Sequence, residues 1–427
     1  MRTAFYESDI TPPLGCYIPG HYKDIRAVDV ANKLYAKAVV IENEGNIAAM
    51  VCVDAVTIPP EMHDIVTKRV NEYTGITADN ICICCNHSHS GAPIESTPDI
   101  GCFEDEAYKD VFFRLSADAI ILAYKRLDNA EAYFANTEVK GFAYNRTFIL
   151  DDGTYVTHGR GKTNIKENFG KLDHELGVLM FEKDGKPIGA IINYSCHQCC
   201  MNQLCNHYSG DFASIISDEL KKIYGQGFVS LFIEGCCGDV NHVNPDINVP
   251  IPDTLYIDIG KKLAAGVIEA LKNPIPTTGK VAVVKESVTI PKRQPDQEAI
   301  KNKIAEYLKM NNITRMRNML YYTSANKTDR ETVYVQAIRI GDTCIYALPG
   351  EIFAETGLKV KAQSPFKYNL VSELTNTRTG YIPPKRAFGK HDNLYETSLC
   401  FDSYFVPEAE DILIDMAHKV SQKLIKF

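Results

Sequence analysis

Apolar and polar positions follow the same order in three separate segments of the chain. Each segment has two apolar runs joined by a turn in which an acidic residue stands next to a glycine. The segments are "LYAKAVVIENEGNIAAMVCVDAV" with Glu44 and Gly45, "LGVLMFEKDGKPIGAIINYSCHQ" with Asp184 and Gly185, and "VYVQAIRIGDTCIYALPGE" with Gly341 and Asp342. Such turns between apolar runs predict β-hairpins. The second run of each is almost wholly apolar, which predicts a central strand of a sheet.

Further apolar runs predict buried strands and amphipathic helices. "NICICC", "GFVSLFIEGCC" and "YNLVSELTN" are short enough for strands. Apolar residues recur at three- and four-residue steps in "PPEMHDIVTKRVNEYTG", "EAYKDVFFRLSADAIILAYKRL", "GDFASIISDELKKIYG", "DTLYIDIGKKLAAGVIEALKN" and "PEAEDILIDMAHKVSQKLIKF". That spacing is typical of helices with one buried face. The alternation predicts an α/β fold: a mixed β-sheet core flanked by helices, with the active site at the C-terminal ends of strands.

Residues 291–330 differ from the rest of the chain because they are polar and helical, with few strongly apolar positions. We interpret them as a helical surface excursion from one domain that spans residues 1–427. Two interpretations remain open for this excursion: a flap over the site, or a solvated helical insertion.

Composition excludes several classes of partner. The chain has 427 residues, 45% of them hydrophobic and 23% charged, as expected for a globular protein. Its net charge of −8 argues against nucleic acid, which needs a basic surface. No apolar run is long enough to cross a membrane, and the start "MRTAFYESDITPPLG" lacks the apolar core of a signal peptide. We therefore expect a cytoplasmic protein whose 14 cysteines are reduced thiols and do not form a four-cysteine zinc site.

Potential metal ligands follow the predicted strands. "NHSHSGAP" places His87 and His89 after a buried strand, His197 follows the second hairpin and Glu351 follows the third. Two imidazoles and a carboxylate are typical of a catalytic zinc site that keeps a position for water. Taken singly, His197 could be a core histidine, and Glu351 could stabilise the start of a helix. Their shared position at strand ends favours a metal site.

Two glycine-containing turns add candidates. "GCCGDVNHVNP" places Asp239 and Asn241 after a buried strand, and "TRTGYIPP" places Tyr381 between polar and proline-rich flanks. Together with "SDITPPLG", "LYAKAVVIE", "NHSHSGAP", "YNRT", "NYSCHQ", "SGDF", "LPGE", "GYIPPKRAF" and "LYE", these stretches resemble the catalytic region of the neutral/alkaline non-lysosomal ceramidases. They occur in the family's order from near residue 8 to about residue 396.

The resemblance implies a role for each of these residues. The family's zinc ligands correspond here to His87, His197, Glu351 and Tyr381. By the same resemblance, His89 faces the reacting group, Arg146 lies close to the nucleophile and Tyr395 stabilises the developing oxyanion. One departure is evident: Asn241 stands where the ceramidases have a serine.

The expected activity is hydrolysis of an amide (N-acyl) bond of a small-molecule or lipid-like substrate by zinc-activated water. His89 or Asp239 would act as general base, Arg146 and Tyr395 would bind the oxyanion, and Asn241 could donate a hydrogen bond to the substrate. Two alternatives remain open. The chain could be a zinc hydrolase acting on a glycoside or a small polar amide, or a non-catalytic member that keeps zinc and binds a ligand.

Overall fold

The computed structural model describes residues 1–21, 23–201, 204–247, 250–277, 279–294, 297–326, 328–389 and 394–427, with only the backbone of Asp99. Within this part of the chain, three successive α/β units share one topology. In each unit a first strand pairs antiparallel with a β-hairpin. The chain then crosses over through a helix to a last strand, which lies parallel to the second strand of the hairpin.

The first unit contains the sheet of strand order β5-β4-β3-β1-β6. Its elements are β1 (Arg2–Asp9), β2 (Asp29–Val30), β3 (Tyr35–Asn43), β4 (Asn46–Val53), α1 (Pro60–Thr74), β5 (Ile81–Cys85), α2 (Glu106–Tyr124) and β6 (Asp128–Asn129). The β3–β4 turn has Glu44 at φ 53° and Gly45 at φ 82°. Two positive φ values in a two-residue loop match the twist of the flanking strands, which explains the Glu-Gly pair.

The second unit contains the sheet β15-β13-β12-β7-β17. Its elements are β7 (Glu131–Glu138), β8 (Tyr144–Asn145), β9 (Thr147–Leu150), β10 (Tyr155–Thr157), β11 (Ile165–Asn168), β12 (Glu175–Lys183), β13 (Lys186–Tyr194), β14 (His207–Tyr208), α3 (Asp211–Tyr224), β15 (Val229–Glu234), β16 (Val240–Asn241), α4 (Leu255–Ala270) and β17 (Ile275–Pro276). A small sheet of β9 to β11 stands beside it.

The third unit contains the sheet β18-β19-β20-β22. Its elements are β18 (Val281–Pro291), α5 (Gln297–Lys309), α6 (Ile313–Ala325), β19 (Arg330–Ile340), β20 (Thr343–Ala347), β21 (Glu351–Ile352), α7 (Ala354–Gln363), β22 (Tyr368–Ser372), β23 (Tyr381–Ile382) and α8 (Ala409–Leu424). The predicted α/β architecture, with mixed sheets flanked by helices, is confirmed. All three predicted hairpins and the three further strands are present.

The central strands are buried on both faces, which explains their continuous apolar runs. In β3, Ala36, Ala38 and Val40 face the core under α1 and α2. The alternate residues Val39 and Ile41 face a second core. This second core also receives residues from the sheets of the other two units, so it joins all three. Successive side chains of a strand point to opposite faces, and both faces must therefore be apolar here.

The second and third units repeat this division. Ile192 in β13 packs under α3 and α4, whereas Ile191 faces the shared core. Tyr346 in β20 packs beneath α8, whereas Ile345 faces the shared core. Each unit thus has its own helix-covered core on the outside and contributes to one common core on the inside.

The polar segment between residues 291 and 330 is helical, as predicted. It extends the β18–β19 hairpin beyond the pair Pro291 and Arg330 as helices α5 and α6. Helix α6 packs on the segment that follows residue 394, through ring contacts of Tyr321 with Phe401 (5.5 Å between centroids) and of Tyr322 with Tyr404 (5.6 Å). The excursion therefore supports a loop that lines the cavity described below.

Two further features bear on the sequence-based expectations. All 14 cysteines lie in the described part of the chain, and each is a free thiol. Among the helices that the structure describes, none combines the length and the apolar character needed to cross a membrane.

Removing side-chain volume from the shared core should destabilise the whole molecule. Ile345→Ala deletes a fully buried side chain facing all three sheets, so we expect a loss of about 2–5 kcal/mol in the free energy of unfolding, measured by denaturant titration. Ile65→Ala is the control, because Ile65 on α1 is 45% exposed, and it should change stability by less than about 0.5 kcal/mol. Equal losses in the two variants would contradict the shared core.

Candidate metal centre and active site

His87 is held by a backbone carbonyl just beyond the end of β5. Its backbone has φ 62°, a left-handed conformation that costs a non-glycine residue about 1–2 kcal/mol. The preceding Asn86 is tied to Asp54, since its amide nitrogen donates to Asp54 Oδ1 over 2.7 Å. His87 Nδ1 lies 2.6 Å from the carbonyl oxygen of Val56. A carbonyl only accepts, so Nδ1 carries the proton and Nε2 keeps its lone pair.

His197 is held in the same way after the end of β13. Its Nδ1 donates to the carbonyl oxygen of Cys237 over 2.8 Å, so the lone pair of the neutral ring is on Nε2. Burial lowers the pKa of His197 to about 3, with the positive charge of Arg146 adding to the effect. The imidazole is therefore neutral, which is the form that ligates a metal.

Glu351 and Tyr381 lie side by side because β21 and β23 pair in parallel, with Glu351 opposite Tyr381. Glu351 Oε2 lies 3.4 Å from His87 Nε2 and 3.3 Å from His197 Nε2. Residues paired in this register present their side chains to the same face. The third unit thus brings a carboxylate and a phenol to the two histidines of the first and second units.

The arrangement of these atoms fits a cation. Two imidazole lone pairs face one carboxylate oxygen, and such acceptors repel each other unless positive charge lies between them. Neither His87 Nε2 nor Glu351 Oε2 has a hydrogen-bond partner among the described residues, although both atoms are buried. Ligand atoms held about 2.0–2.1 Å from a tetrahedral zinc ion lie about 3.3 Å from one another. The observed spacing of 3.3–3.4 Å agrees with that value.

His89 joins the same cluster. Its Nδ1 donates to the carbonyl oxygen of Gly20 over 3.0 Å, and its Nε2 is buried without a hydrogen-bond partner in the described chain. One ring nitrogen from each of His87, His89 and His197 lies within 4.8 Å of the others. A side chain at position 20 would meet His89 Nδ1 at 2.8 Å, and Gly20 has φ +95°, so glycine is required at this close approach.

Arg146 lies beside His197 and is fixed by a buried glutamate. Its Nη1 lies 3.3 Å from His197 Nε2, and its guanidinium carbon lies 5.4 Å from the centroid of the Tyr381 ring. Its Nε donates to Glu396 Oε1 over 2.8 Å. Thr157 Oγ donates to the other oxygen of Glu396 over 2.6 Å. The guanidinium is thereby oriented towards His197 and Tyr381.

Asp239 and Asn241 have different surroundings. Asp239 does not line the cavity: its Oδ1 accepts from the backbone N–H of Ala354, at the first residue of α7, over 2.8 Å. Burial raises the pKa of Asp239 to about 7. The contact with Ala354 anchors the segment that follows Glu351. Asn241 lines the cavity, and its Oδ1 accepts from the backbone N–H of Val243 over 2.9 Å.

Tyr395 lines the cavity together with Tyr381, and their rings meet edge to face with centroids 5.5 Å apart. Its hydroxyl donates to Asp402 Oδ2 over 3.4 Å, and its backbone N–H donates to Thr157 Oγ over 2.8 Å. The structure therefore brings eight of the nine residues selected from the sequence to one cavity of about 590 Å³. Those eight are His87, His89, Arg146, His197, Asn241, Glu351, Tyr381 and Tyr395.

Two buried carboxyl groups that the sequence analysis did not select lie behind the histidines. Glu373 accepts from the backbone N–H of Ile352, next to Glu351, over 2.6 Å, and from the thiol of Cys237 over 3.1 Å. Glu234 accepts from the backbone N–H of Cys196, next to His197, over 3.2 Å. Burial raises the pKa of both carboxyl groups well above the ordinary value. The charge of Glu373 adds to the shift of Glu234, and the charge of Glu351 adds to that of Glu373. They connect the segments that carry two candidate ligands.

Sequence reasoning also missed Glu396 and His158. Glu396 was present only as the residue after Tyr395, and its pairing with Arg146 spans 250 positions. His158 lines the cavity, and its backbone N–H donates to the carbonyl of Arg146 over 2.7 Å. Patterns among neighbouring residues cannot predict the contacts of Glu396 and His158 with Arg146. The one signal for Glu396 was its place in the "LYE" stretch.

The fold and the site define a ceramidase-like α/β protein. Across 99% of its length the chain superposes on neutral ceramidase from Pseudomonas aeruginosa, with a TM-score of 0.78 and 17% identity, and covers 74% of that chain. A solved ceramidase complexed with C2 is matched over 100% of this chain and 75% of its own, with a TM-score of 0.76 and 15% identity. No curated protein matches the sequence.

The family assignment comes from the sequence itself. The family model described as neutral/alkaline non-lysosomal ceramidase, N-terminal, matches residues 8–251, which is more than half of the chain. The chain belongs to this family. The resemblance inferred from the ordered motifs is thereby confirmed.

The metal site can be tested by removing one candidate ligand. His197→Ala deletes one imidazole from the cluster, so we expect a large loss of bound zinc, measured by elemental analysis after loading and desalting. Cys200→Ser is the control: Cys200 is buried three residues away, and its thiol donates to the backbone carbonyl of His197 over 3.9 Å. Full zinc occupancy in His197→Ala, or loss of zinc in Cys200→Ser, would contradict the proposed ligands.

The carboxyl group behind the ligands should tune metal affinity. Glu373→Ala leaves the backbone N–H of Ile352 without its acceptor and loosens the segment that carries Glu351. We expect zinc affinity to fall by about 10–100-fold, measured by competition with a chelator. Gln336→Ala is the matched control, since it removes a fully buried, hydrogen-bonded side chain elsewhere in the sheet and should leave zinc affinity unchanged. An unaltered affinity in Glu373→Ala would contradict this role.

Proposed function

We propose that the protein is a zinc-dependent hydrolase that cleaves an amide (N-acyl) bond. Zinc would be held by His87, His197, Glu351 and Tyr381. The observation that carries the proposal is the approach of two imidazole lone pairs to one carboxylate oxygen at 3.3–3.4 Å, inside the cavity of a ceramidase-family chain. Among the described residues, the one group of three metal-ligating histidine, cysteine or carboxylate side chains is His87, His89 and His197, which shares two members with this ligand set.

Zinc in this position would act as a Lewis acid towards a carbonyl oxygen and lower the pKa of a water molecule to about 7. The residues around it would handle the proton and the charge. His89 keeps its Nδ1 proton on the carbonyl of Gly20, so its Nε2 is the atom that can take a proton from water and return it to the leaving amine.

Arg146 and Tyr395 would stabilise the negative charge that develops on the carbonyl oxygen. Arg146 is held by Glu396 through Nε, and its Nη2 is buried without a hydrogen-bond partner among the described residues. A buried donor of this kind is oriented before the reaction starts, so no reorganisation is needed as charge develops. The hydroxyl of Tyr395 lies on the same cavity, next to the ring of Tyr381.

Asn241 cannot supply a nucleophile, so the proposal assigns attack to water. Its side-chain oxygen is already engaged by the backbone of Val243, which leaves its amide nitrogen as a donor for the substrate. A neutral hydrogen bond contributes about 0.5–1.5 kcal/mol, much less than a group that transfers a proton. Asn241 would therefore assist binding and not the bond-breaking step.

A second candidate function is zinc-dependent ligand binding without turnover. The observation that favours it is Asn241 itself, which replaces the family's serine in the cavity. The two functions differ in one measurable result. A hydrolase releases amine from N-acyl compounds in a zinc-dependent way, whereas a binding protein takes up zinc and ligand and releases nothing.

The roles of His89 and Asn241 predict unequal kinetic losses. His89→Ala removes the proton carrier, so kcat on any N-acyl compound that the zinc-loaded protein hydrolyses should fall about 10²–10⁴-fold. Asn241→Ala removes one neutral hydrogen bond and should cost about tenfold at most. Steady-state kinetics of both variants, at confirmed zinc occupancy, provide the comparison. A loss in Asn241→Ala equal to that in His89→Ala would make Asn241 a direct participant and refute the water mechanism.

A further inference from the structure

One wall of the cavity carries charged side chains. Glu95, Arg378 and Asp402 line it, and each comes from a different loop. Their side chains retain 15%, 18% and 10% of their exposed surface, respectively. A long alkyl chain would require an apolar lining, which these residues do not offer.

This wall is also rigid. Arg378 Nε lies 2.5 Å from Glu95 Oε1, and Arg378 Nη2 lies 2.8 Å from Asp402 Oδ1. The guanidinium carbon lies 3.9 Å from the centroid of the Phe401 ring, so the planar group stacks on that side chain. Two ion pairs and one stacking contact therefore hold Arg378 in place before any ligand arrives.

The charged wall continues directly into the reaction centre. Asp402 Oδ2 accepts from the hydroxyl of Tyr395, and the carbonyl oxygen of Asp402 accepts from the backbone N–H of Tyr381 over 2.6 Å. A substrate whose carbonyl lies near Tyr395 thus places the atoms on one side of its amide bond against this wall.

We propose that Glu95, Arg378 and Asp402 form a subsite that binds one arm of the substrate and selects hydroxyl- or amino-bearing groups over alkyl chains. This inference rests on the proposed function, amide hydrolysis, and specifies its substrate class as a polar N-acyl compound, such as an acylated amino sugar or an amide of a sugar acid.

The physical basis of the selection is desolvation. An alkyl arm would remove water from two carboxylates and a guanidinium without replacing the lost hydrogen bonds, which is unfavourable. Hydroxyl or ammonium groups can replace them, because a carboxylate oxygen accepts more than one hydrogen bond and can serve both Arg378 and the substrate.

Two pairs of amides test the proposal, one for each arm of the substrate. One pair varies the amine: N-butanoylglucosamine against N-butanoylhexylamine. The other varies the acyl group: N-hexylgluconamide against N-hexylhexanamide. With zinc-loaded protein, we expect the polar member of at least one pair to have a kcat/KM at least tenfold higher than its alkyl partner. If the kcat/KM of the polar member divided by that of its alkyl partner is near or below one in both pairs, the proposal is overturned.

Substitutions assign the preference to the wall. Glu95→Gln preserves size, and we expect it to reduce the ratio severalfold by weakening an acceptor. Arg378→Met should reduce this ratio further. If Arg378→Met does not fold, the conservative Glu95→Gln variant alone tests the role of the wall. Cys205→Ser changes another residue that lines the cavity and should leave the ratio unchanged. An unchanged ratio in a folded Glu95→Gln variant would refute the role of the wall.

A binding measurement separates this inference from the proposed function. If the zinc-loaded protein hydrolyses none of the four amides, the proposed function fails for these probes, and calorimetric titration of the same amides decides the inference. Tighter binding of a polar member, lost in Glu95→Gln, would support the subsite. Equal binding within both pairs, or no binding of any member, would overturn it.

Discussion

The candidate site depends on backbone carbonyl groups that fix the proton of each imidazole. The carbonyl oxygens of Val56, Cys237 and Gly20 each accept from an Nδ1–H, so all three Nε2 atoms face away from these carbonyls, and Nε2 of His197 also lies 3.3 Å from Arg146 Nη1. A carbonyl cannot donate, and the opposite tautomer would leave two acceptors facing each other. The loops that carry these carbonyls are therefore as necessary to the site as the histidines themselves.

Buried carboxyl groups place those loops, and the three units use them in the same way. In the first unit Asp54, after β4, accepts from the side chain of Asn86, after β5. In the second, Glu234 at the end of β15 accepts from the backbone beyond β13, and in the third, Glu373 beyond β22 accepts from the backbone of Ile352, beyond β20. Each carboxyl group thus joins the ends of two parallel strands. A buried carboxyl group is costly unless it is hydrogen-bonded, so these groups favour one arrangement of the strand ends.

Much of this fold follows from local pattern. Strands such as β3 and β13 are apolar on both faces, and acidic-glycine turns mark the hairpins, so the elements could be predicted from neighbouring residues. The same patterns placed His87, His197 and Glu351 at strand ends. They could not reveal Glu373, Glu396 or Arg378. Each of these residues contacts a partner that is distant in the sequence, and the two come close only after the sheets pack. For Asp239 the residue type suggested proton transfer, and its contact with Ala354, at the start of α7, could not be foreseen from the sequence.

The division of the ligands among the units has a consequence for how the protein matures. His87 belongs to the first unit, His197 to the second, and Glu351 and Tyr381 to the third. During synthesis the chain would emerge from the ribosome with the first two imidazoles long before the last two candidate ligands, so high-affinity uptake of zinc at the proposed site would have to wait until nearly the whole chain is available and docked. An ion bound by all three units would then act as a tertiary cross-link, and its uptake would mark the end of assembly.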